Sequence, residues 1–391
     1  MKAVEFGSLF QFIRNGMNVK QDKSGDGLPI TRIETISDAT VDESRVGFAG
    51  LAEVDCRDWL LKPGDILFSH INSVEHIGKC AVYRGEPEKL VHGMNLLCLR
   101  SDADQLFPEF AKYLIRGKEF RKRLANFINK AVNQASVSIG NLKTIPVTVP
   151  ALHDQRRIAA ILDKADALLS TRGTCLTQLD TLTQSIFLDM FGDPAANSKG
   201  FPIVRMGVVC DVRDGTHDSP KYVSEGGYPL VTSKNVTGGD VDLTDVNYIS
   251  EADYLQINKR SKVDRGDIIL PMIGTIGSPV LVDHEPSYAI KNVALIKFTT
   301  TSPSAVFVHH LLSGSYFDFI VGQKNRGGTQ KFVSLGDLRA FPIPLPSNDE
   351  QQVFAHRVEA VNKIRTTSRK AESNLNALFA SLEDRAFRGE L

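Results

Sequence analysis

Gln134-Ala-Ser-Val-Ser-Ile-Gly-Asn-Leu-Lys143 and Gln330-Lys-Phe-Val-Ser-Leu-Gly-Asp-Leu-Arg339 are two versions of one segment, 196 residues apart. The first runs on to Ile145-Pro146, Pro150 and Asp154-Gln155, the second to Phe341-Pro342, Pro346 and Glu350-Gln351. The register holds without a gap through Leu179/Leu375, Leu182/Leu378, Ser185/Ser381 and Phe191/Phe387. Upstream the copies are looser: Gly64-Asp65-Ile66 answers Gly266-Asp267-Ile268 at an offset of 202, and Gly27-Leu28-Pro29 answers Gly227-Tyr228-Pro229 at 200. A period near half of the 391-residue chain is too long for a solenoid. It describes two similar domains, each followed by a similar helix, and so an approximate internal two-fold axis. Such a chain suits a partner that presents two sites, and duplex DNA is the commonest partner of that kind.

The segments after the two domains read as long helices. From Gln155 a 4–3 spacing picks out Ile158, Leu162, Ala165, Leu169, Arg172, Leu176, Leu179, Thr183, Ile186 and Met190. The same frame moved by 196 gives Phe354, Val358, Val361, Arg365, Ser368, Glu372, Leu375, Phe379, Leu382 and Ala386. Eight of the first ten and seven of the second are apolar, which predicts a coiled-coil seam between two antiparallel helices. Each helix packing on its own domain is the alternative. Asp154 and Asp349 stand near the helix starts, where a carboxylate suits the dipole, and Gly192 and Gly389 near the ends. About 37 residues at ~1.5 Å each would make a rod of roughly 55 Å.

The domains themselves read as α+β. Short β-rich runs, Asp65-Ile-Leu-Phe68, Cys80-Ala-Val-Tyr83 and Leu96-Leu-Cys-Leu99, alternate with turn residues, and a helix is expected from Phe107 to Ile128. The second domain repeats the plan through Asp267-Ile-Ile-Leu270, Val280-Leu-Val282 and Val293-Ala-Leu-Ile296. The prolines of Ile145–Pro150 and Phe341–Pro346 confine any strand there to an edge. The expected division is a first domain over 1–150, a helix over 151–193, a second domain over 200–346 and a helix over 347–391.

Composition is that of a soluble globular protein, 42% hydrophobic and 24% charged, with no membrane span or signal-peptide pattern. Cys56, Cys80, Cys98, Cys175 and Cys210 are scattered and odd in number, as expected of free buried thiols in a reducing cytoplasm. Net charge is zero, but its distribution is uneven. Lys112, Arg116, Lys118, Arg121, Lys122, Arg123, Lys130 and Lys143 face Glu119 alone within residues 111–143. The matching stretch of the second copy holds Lys324, Arg326, Lys331 and Arg339 against Asp318 and Asp337. A solvated helix face would explain either run; two at matching places favour a phosphate-facing surface.

Catalytic signals are missing. There is no P-loop, since Gly78-Lys79 and Gly117-Lys118 lead to Cys80 and Glu119. No two prolines are adjacent, which removes the D/N-P-P-Y motif of adenine methyltransferases, and no acid stands two residues before a lysine, as a D/E-x-K nuclease site needs. No H-E-x-x-H occurs, and His309-His310 are adjacent rather than spaced for a metal. Gly274-Thr-Ile-Gly277 is too short a glycine signal to mean a nucleotide. No catalytic or metal residue is assigned, and the chain reads as a binder.

Polar clusters in the turns supply the candidate contacts. In the first domain they are His70, Asn72, Lys79, Asn95, Lys130, Asn133 and Gln134; in the second, His217, Lys221, Thr232, Ser233, Lys234, Asn235, Lys291 and Asn292. Lys324, Asn325, Arg326, Thr329, Gln330 and Lys331 surround Gly327-Gly328. Asn and Gln can pair with adenine and Arg or Lys with guanine, so this mixture is what direct base readout requires. A non-catalytic coiled-coil scaffold with two protein- or sugar-binding domains is the competing reading.

The chain resembles the specificity subunit of type I restriction–modification enzymes over nearly its whole length. The resemblance rests on Asp214-Gly-Thr-His-Asp-Ser-Pro220 with Pro229-Leu-Val-Thr-Ser-Lys-Asn235, on the paired Pro…Asp/Glu-Gln segments, and on the terminal Arg385-Ala-Phe-Arg-Gly-Glu-Leu391. It implies two target-recognition domains that read the halves of a split DNA sequence. It also implies two copies of a DNA adenine methyltransferase subunit and translocase–endonuclease subunits as partners. S-adenosylmethionine, ATP and magnesium would belong to those partners and not to this chain. The first domain departs from the pattern, with Arg14-Asn-Gly-Met17 where the second has Arg213-Asp-Gly-Thr216.

If the helices are the spacer, one heptad inserted in each lengthens the pair by about 10.5 Å with the seam in phase. That is about three base pairs of B-DNA. Methylation mapping should then show both half-sites unchanged and a spacer longer by roughly three base pairs. A folded, lengthened protein that keeps the original spacer would refute the ruler.

Overall fold

A computed structural model describes residues 2–23, 25–37, 39–131, 134–272, 278–324 and 332–391. They form two compact units, residues 1–173 with 371–391, and residues 174–370. Each unit is built on a four-stranded antiparallel sheet of the same order. In the first, Phe10–Asn15 pairs with Leu97–Ser101, then Ile66–Phe68, then Cys80–Val82. In the second, Asp211–Asp214, Val293–Lys297, Ile268–Pro271 and Val280–Leu281 follow in the same sequence.

Both faces of each sheet are buried, which is why the strands read as apolar runs rather than alternations. In the first unit Ile66, Phe68, Leu97 and Leu99 pack with Phe110, Tyr113 and Leu114 of helix Pro108–Arg116. Leu67, Ala81 and Cys98 point the other way, to Tyr83, Leu90 and Leu96. The second unit repeats the division: Ile268, Leu270, Ala294 and Ile296 meet Phe307, Val308 and Leu311, while Ile269, Val280 and Leu295 meet Val231 and Tyr288.

A buried carboxylate fixes the turn before each central strand. Asp65 is 1% exposed and takes two bonds from the Arg100 guanidinium, 2.7 and 2.6 Å, and one from Lys62 N–H at 2.8 Å. Asp267 accepts from Lys297 Nζ at 2.5 Å and Asp264 N–H at 2.8 Å. Burial raises the Asp267 pKa, and Lys297 opposes the rise. The two carboxylates occupy one place in two copies.

Three expectations need correction. The helix expected over 107–128 is two, Pro108–Arg116 and Lys118–Ala125, because Gly117 takes extended backbone (ψ 144°) between them. The second unit breaks at Gly314 in the same way, between Ala305–Ser313 and Ser315–Lys324. Of the cysteines, four are buried and free, but Cys175 is half-buried. At the far end of the first long helix the seam frame slips by one residue. Phe187 and Phe191, rather than Ile186 and Met190, are the buried pair, in mostly edge-on ring contact with Phe307 and Phe354.

The long helices run Leu152–Phe191 and Asn348–Arg388, and left-handed Gly192 (φ 71°) and Gly389 (φ 78°) end them. Within the first unit, Ile158, Ala159 and Leu162 share a core with Phe379, Leu382 and Ala386. Within the second, Asp180 pairs with Arg365 at 2.8 Å and Phe187 meets Phe354. In each unit the helix numbers run in opposite senses, so the packing is antiparallel. Two of the seam's polar members make bonds: Thr183 donates to the Leu179 carbonyl at 3.0 Å, and Arg365 makes the pair with Asp180. Helix-on-helix and helix-on-domain packing therefore coexist.

The repeated glutamine is the joint between helix and domain. Gln155 Oε1 accepts from Phe107 N–H at 2.8 Å, and Nε2 donates to the carbonyls of Gln105 (2.8 Å) and Pro150 (3.0 Å). Gln351 Oε1 accepts from Ser304 N–H at 2.7 Å, and its Nε2 donates to the Pro346 carbonyl at 2.9 Å. Both side chains are buried, so truncation strands main-chain groups away from water. Gln155→Ala and Gln351→Ala should each cost about 2–4 kcal/mol in urea unfolding. The exposed Gln178→Ala should stay within about 0.5 kcal/mol of wild type.

Candidate nucleic-acid interface

In the second unit three backbone segments cross at one place. Gly215 N–H donates to Val293 O (2.9 Å), Thr216 N–H to Ile290 O (3.0 Å) and Lys291 N–H to Val231 O (2.8 Å). The crossing needs glycine, because a Cβ on Gly215 would lie 2.5 Å from the Ile290 carbonyl oxygen. Gly16 meets the same demand in the first unit, where its Cβ would lie 2.1 Å from the Gly93 oxygen. The Arg-x-Gly shared by the two copies thus marks a close approach of two backbone segments, and its neighbours are free to differ.

Most second-domain candidates gather at this crossing. His217 Nδ1 lies 2.9 Å from Asn292 Oδ1, and its Nε2 lies 2.7 Å from Asp214 Oδ2. Ser233 Oγ donates to Asn292 O at 3.4 Å, and Lys291 Nζ to Ser219 Oγ at 2.6 Å. Lys234 and Lys221 are exposed beside them, Lys234 in a 3.3 Å surface pair with Asp245. Thr232 and Asn235 play another part. Asn235 is 3% exposed, accepts from Thr232 N–H and Oγ1, and donates to the carbonyls of Asp242 (3.1 Å) and Asp245 (3.0 Å). Its amide is spent within the turn, so the two residues shape the loop that displays Ser233 and Lys234. The first copy builds this turn with Thr35, which accepts from Arg32 N–H at 2.8 Å. Val41-Asp42 and Val241-Asp242 mark the same turn in the two copies, a match that the repeat alignment did not include.

First-domain candidates assemble elsewhere. Ile71–Asn72, Gln134–Ser136 and Asn129–Ala131 form a three-stranded ribbon in which Asn72, Ala135 and Lys130 lie side by side. Lys130 and Gln134 are exposed, and Asn72 is half-buried. Lys79 is exposed opposite Ser69, next to the ribbon. Asn95 is exposed but stands in the turn after Gly93, apart from this group. His70 is 6% exposed under the ribbon, and burial lowers its pKa to about 4. It cannot offer a charged ring at neutral pH. Asn133, Asn325, Arg326, Thr329, Gln330 and Lys331 lie outside the described residues, as do Gly274–Gly277 and Gly327-Gly328. Lys324 ends its helix, and its side chain is not described.

The basic run of the first domain is less available than its sequence suggests. Lys112 is 4% exposed and pairs with Asp163 at 2.9 Å, and Arg116 pairs with Asp166 at 3.1 Å, both acids on the first long helix. Arg121 and Arg123 are tied to the carbonyls of Ile77 and Pro146. In the second copy Arg339 holds the Val212 carbonyl at 2.9 Å. These cations assemble the fold; Lys118, Lys122, Lys130 and Lys143 stay exposed. Two residues outside the candidate contacts join the second-domain cluster: Asp214, the first residue of the Asp214–Pro220 motif, which bonds both His217 and Arg260, and Arg260 from helix Glu251–Ser261, which the sequence did not mark. Among the described residues no group of three His, Cys, Asp or Glu side chains is placed to hold a metal ion. No described helix is long and apolar enough to cross a membrane.

Two similar units, each with its own polar loop cluster, match one known family. The model of the type I restriction modification DNA specificity domain fits residues 1–179 and again 198–376. The chain belongs to that family. The two matches also restate the internal duplication. A Methanocaldococcus jannaschii protein, provisionally named the type I restriction enzyme MjaX specificity subunit, is 32% identical over 381 residues, covering 95% of this chain and 89% of its own length. The type I restriction enzyme EcoKI specificity subunit of Escherichia coli is 28% identical over 196 residues, 49% of this chain and 42% of that protein. The fold is shared with the crystal structure of a type I restriction–modification S subunit from M. genitalium (TM-score 0.62, 15% identity, 99% and 96% of the two chains). A chain from a type I restriction–modification assembly gives a TM-score of 0.55 at 18% identity over 100% and 98%.

These specificity domains carry buried neutral histidines. His92 is 1% exposed beneath Trp59, with Nε2 2.8 Å from the Leu96 carbonyl, and burial lowers its pKa to about 4. The unfolded rings titrate near 6.5. Below that value the unfolded chain binds protons that the folded rings refuse, so stability is lost as pH falls from about 6.5 towards 4. Each ring contributes a slope of up to about 1.4 kcal/mol per pH unit in that window. Urea midpoints between pH 7 and 5 should fall, and less so in a His70→Gln/His92→Gln double variant.

Proposed function

We propose that this chain is the non-catalytic recognition subunit of a type I restriction–modification enzyme. It binds duplex DNA sequence-specifically, each domain reads one half of a bipartite target, and the complex brings methyltransferase and restriction subunits to that target. The observation that carries this is the duplication. Two units share sheet order, carboxylate pin, glycine crossing and glutamine joint, yet display different side chains from their loops. A common scaffold with divergent exposed loops is what reading two different short sequences requires.

The proposed contacts are Asn72, Lys79, Lys130, Asn133 and Gln134 in the first domain, with Asn95 in a turn apart from them. In the second they are His217, Lys221, Ser233, Lys234, Lys291 and Asn292, with the segment Lys324–Lys331. His70, Thr232 and Asn235 support the loops that carry them. The approximate repeat suits two copies of an adenine methyltransferase subunit, one for each helix-and-domain copy, and translocase–endonuclease subunits join for restriction. S-adenosylmethionine, ATP and magnesium are assigned to those partners. The work is done in the cytoplasm, where the DNA is. The helices are proposed to set the spacing between half-sites.

Two measurements test the reading. The chain alone, given S-adenosylmethionine, ATP, magnesium and mixed-sequence DNA, should yield neither methylated nor cut product. In the assembled enzyme, replacing residues 1–150 with the corresponding domain of another specificity subunit should change one half of the methylated sequence and leave the other. Methyl transfer by the chain alone, or a change in both halves together, would contradict the proposal.

A further inference from the structure

We propose that Arg260, steered by Asp214, reads a guanine in the half of the target recognised by the second domain. This rests on the proposed function. Arg260 stands at the end of helix Glu251–Ser261, and its carbonyl accepts from Arg213 Nη1 at 2.9 Å, so its backbone is fastened to the neighbouring strand. Asp214 accepts from Arg260 Nη2 on one oxygen and holds His217 Nε2 at 2.7 Å on the other. The Asp214 side chain is 12% exposed, while those of Arg260 and His217 are 64% and 62% exposed. A buried carboxylate thus grips one edge of an otherwise open guanidinium, beside the exposed His217 and Ser219 and the half-buried Lys291 and Asn292.

The charge balance chooses the ligand. A carboxylate beside the guanidinium cancels much of its attraction for phosphate and itself repels a phosphate. A base edge carries no net charge and rewards geometry: guanine O6 and N7 take two parallel N–H bonds from a guanidinium held flat. Asp214 restricts the side chain before DNA arrives, which lowers the ordering cost of binding. The pair also gives the buried Asp214 carboxylate a counter-ion, a role that Arg260→Lys preserves while removing the fork.

The first domain shows which part is scaffold. Arg14 reaches the Asp58 carbonyl as Arg213 reaches that of Arg260. The anchor is common to both copies, but Asn15 stands where Asp214 does and Asp58 where Arg260 does. The reading pair exists in one copy only.

The test uses the enzyme assembled with its methyltransferase subunits, and reads methylation across a library of target variants by sequencing. Arg260→Ala should reduce the preference for guanine at one position of one half by about 5- to 150-fold, with the other half unchanged. Arg260→Lys should relax the same position, since lysine keeps the charge but not the fork. Asp214→Asn, which places there the residue the first copy has, should relax it too. The double variant Asp214→Asn/Arg260→Ala should lose no more than Arg260→Ala alone. Should Arg260→Ala fold poorly, the Lys and Asn variants carry the test. An unchanged motif, relaxation at an A·T pair, or uniform weakening of all sequences with a shallower salt dependence would each overturn the proposal. A wild-type complex that methylates no two-part sequence would instead remove the function on which it rests.

Discussion

The carboxylate before each central strand is the constraint on which the rest depends. A strand with both faces buried has no wet side to set its register, so something other than patterning must fix where it starts. Asp65 and Asp267 do so by taking a cation from the neighbouring strand and a main-chain N–H from three residues back. Such a group is costly to bury unless every bond is made, and removing its cation would leave an uncompensated charge. With the strand fixed, one face receives the helices and the other the loop-bearing layer. The glycine crossing then hangs from the strand beside it.

Much of this frame was legible because it repeats. Matching segments at a constant offset revealed the two domains, the edge strands and the long helices without knowledge of any contact. Misreadings arose where the deciding partner lies far along the chain. Lys112 and Arg116 look like a basic surface until Asp163 and Asp166, some fifty residues on, are seen to neutralise them. His70 and Asn235 look like polar loop residues, but both are buried, Asn235 with its amide spent inside its own turn. The single helix expected over 107–128 failed for a local reason, since Gly117 sits within an otherwise continuous pattern. Arg260 carried no signal at all: it is one of two cations on its helix, next to Lys259, and only the fold brings it to Asp214.

The two copies also separate what holds from what varies. Bonds found in both involve main-chain atoms, a carboxylate–cation pin and glycine crossings. Side chains around those features differ: Met17 and Met94 in the first copy stand at the places taken by Thr216 and Asn292 in the second. The first domain's polar group lies instead on the ribbon around Lys130. Equal scaffolds therefore need not present equal surfaces.

The glutamine joints have a consequence for how such chains evolve. Every partner of Gln155 and Gln351 is a main-chain amide or carbonyl, and those atoms are supplied by any sequence that follows the same path. The socket is blind to side chains. A domain can accumulate substitutions throughout its loops, or be exchanged by recombination for a foreign one, and still seat on the same helix. New specificities can then arise by shuffling whole domains, with side-chain matching demanded at the remaining domain-to-helix contacts such as Lys112–Asp163 and Arg116–Asp166.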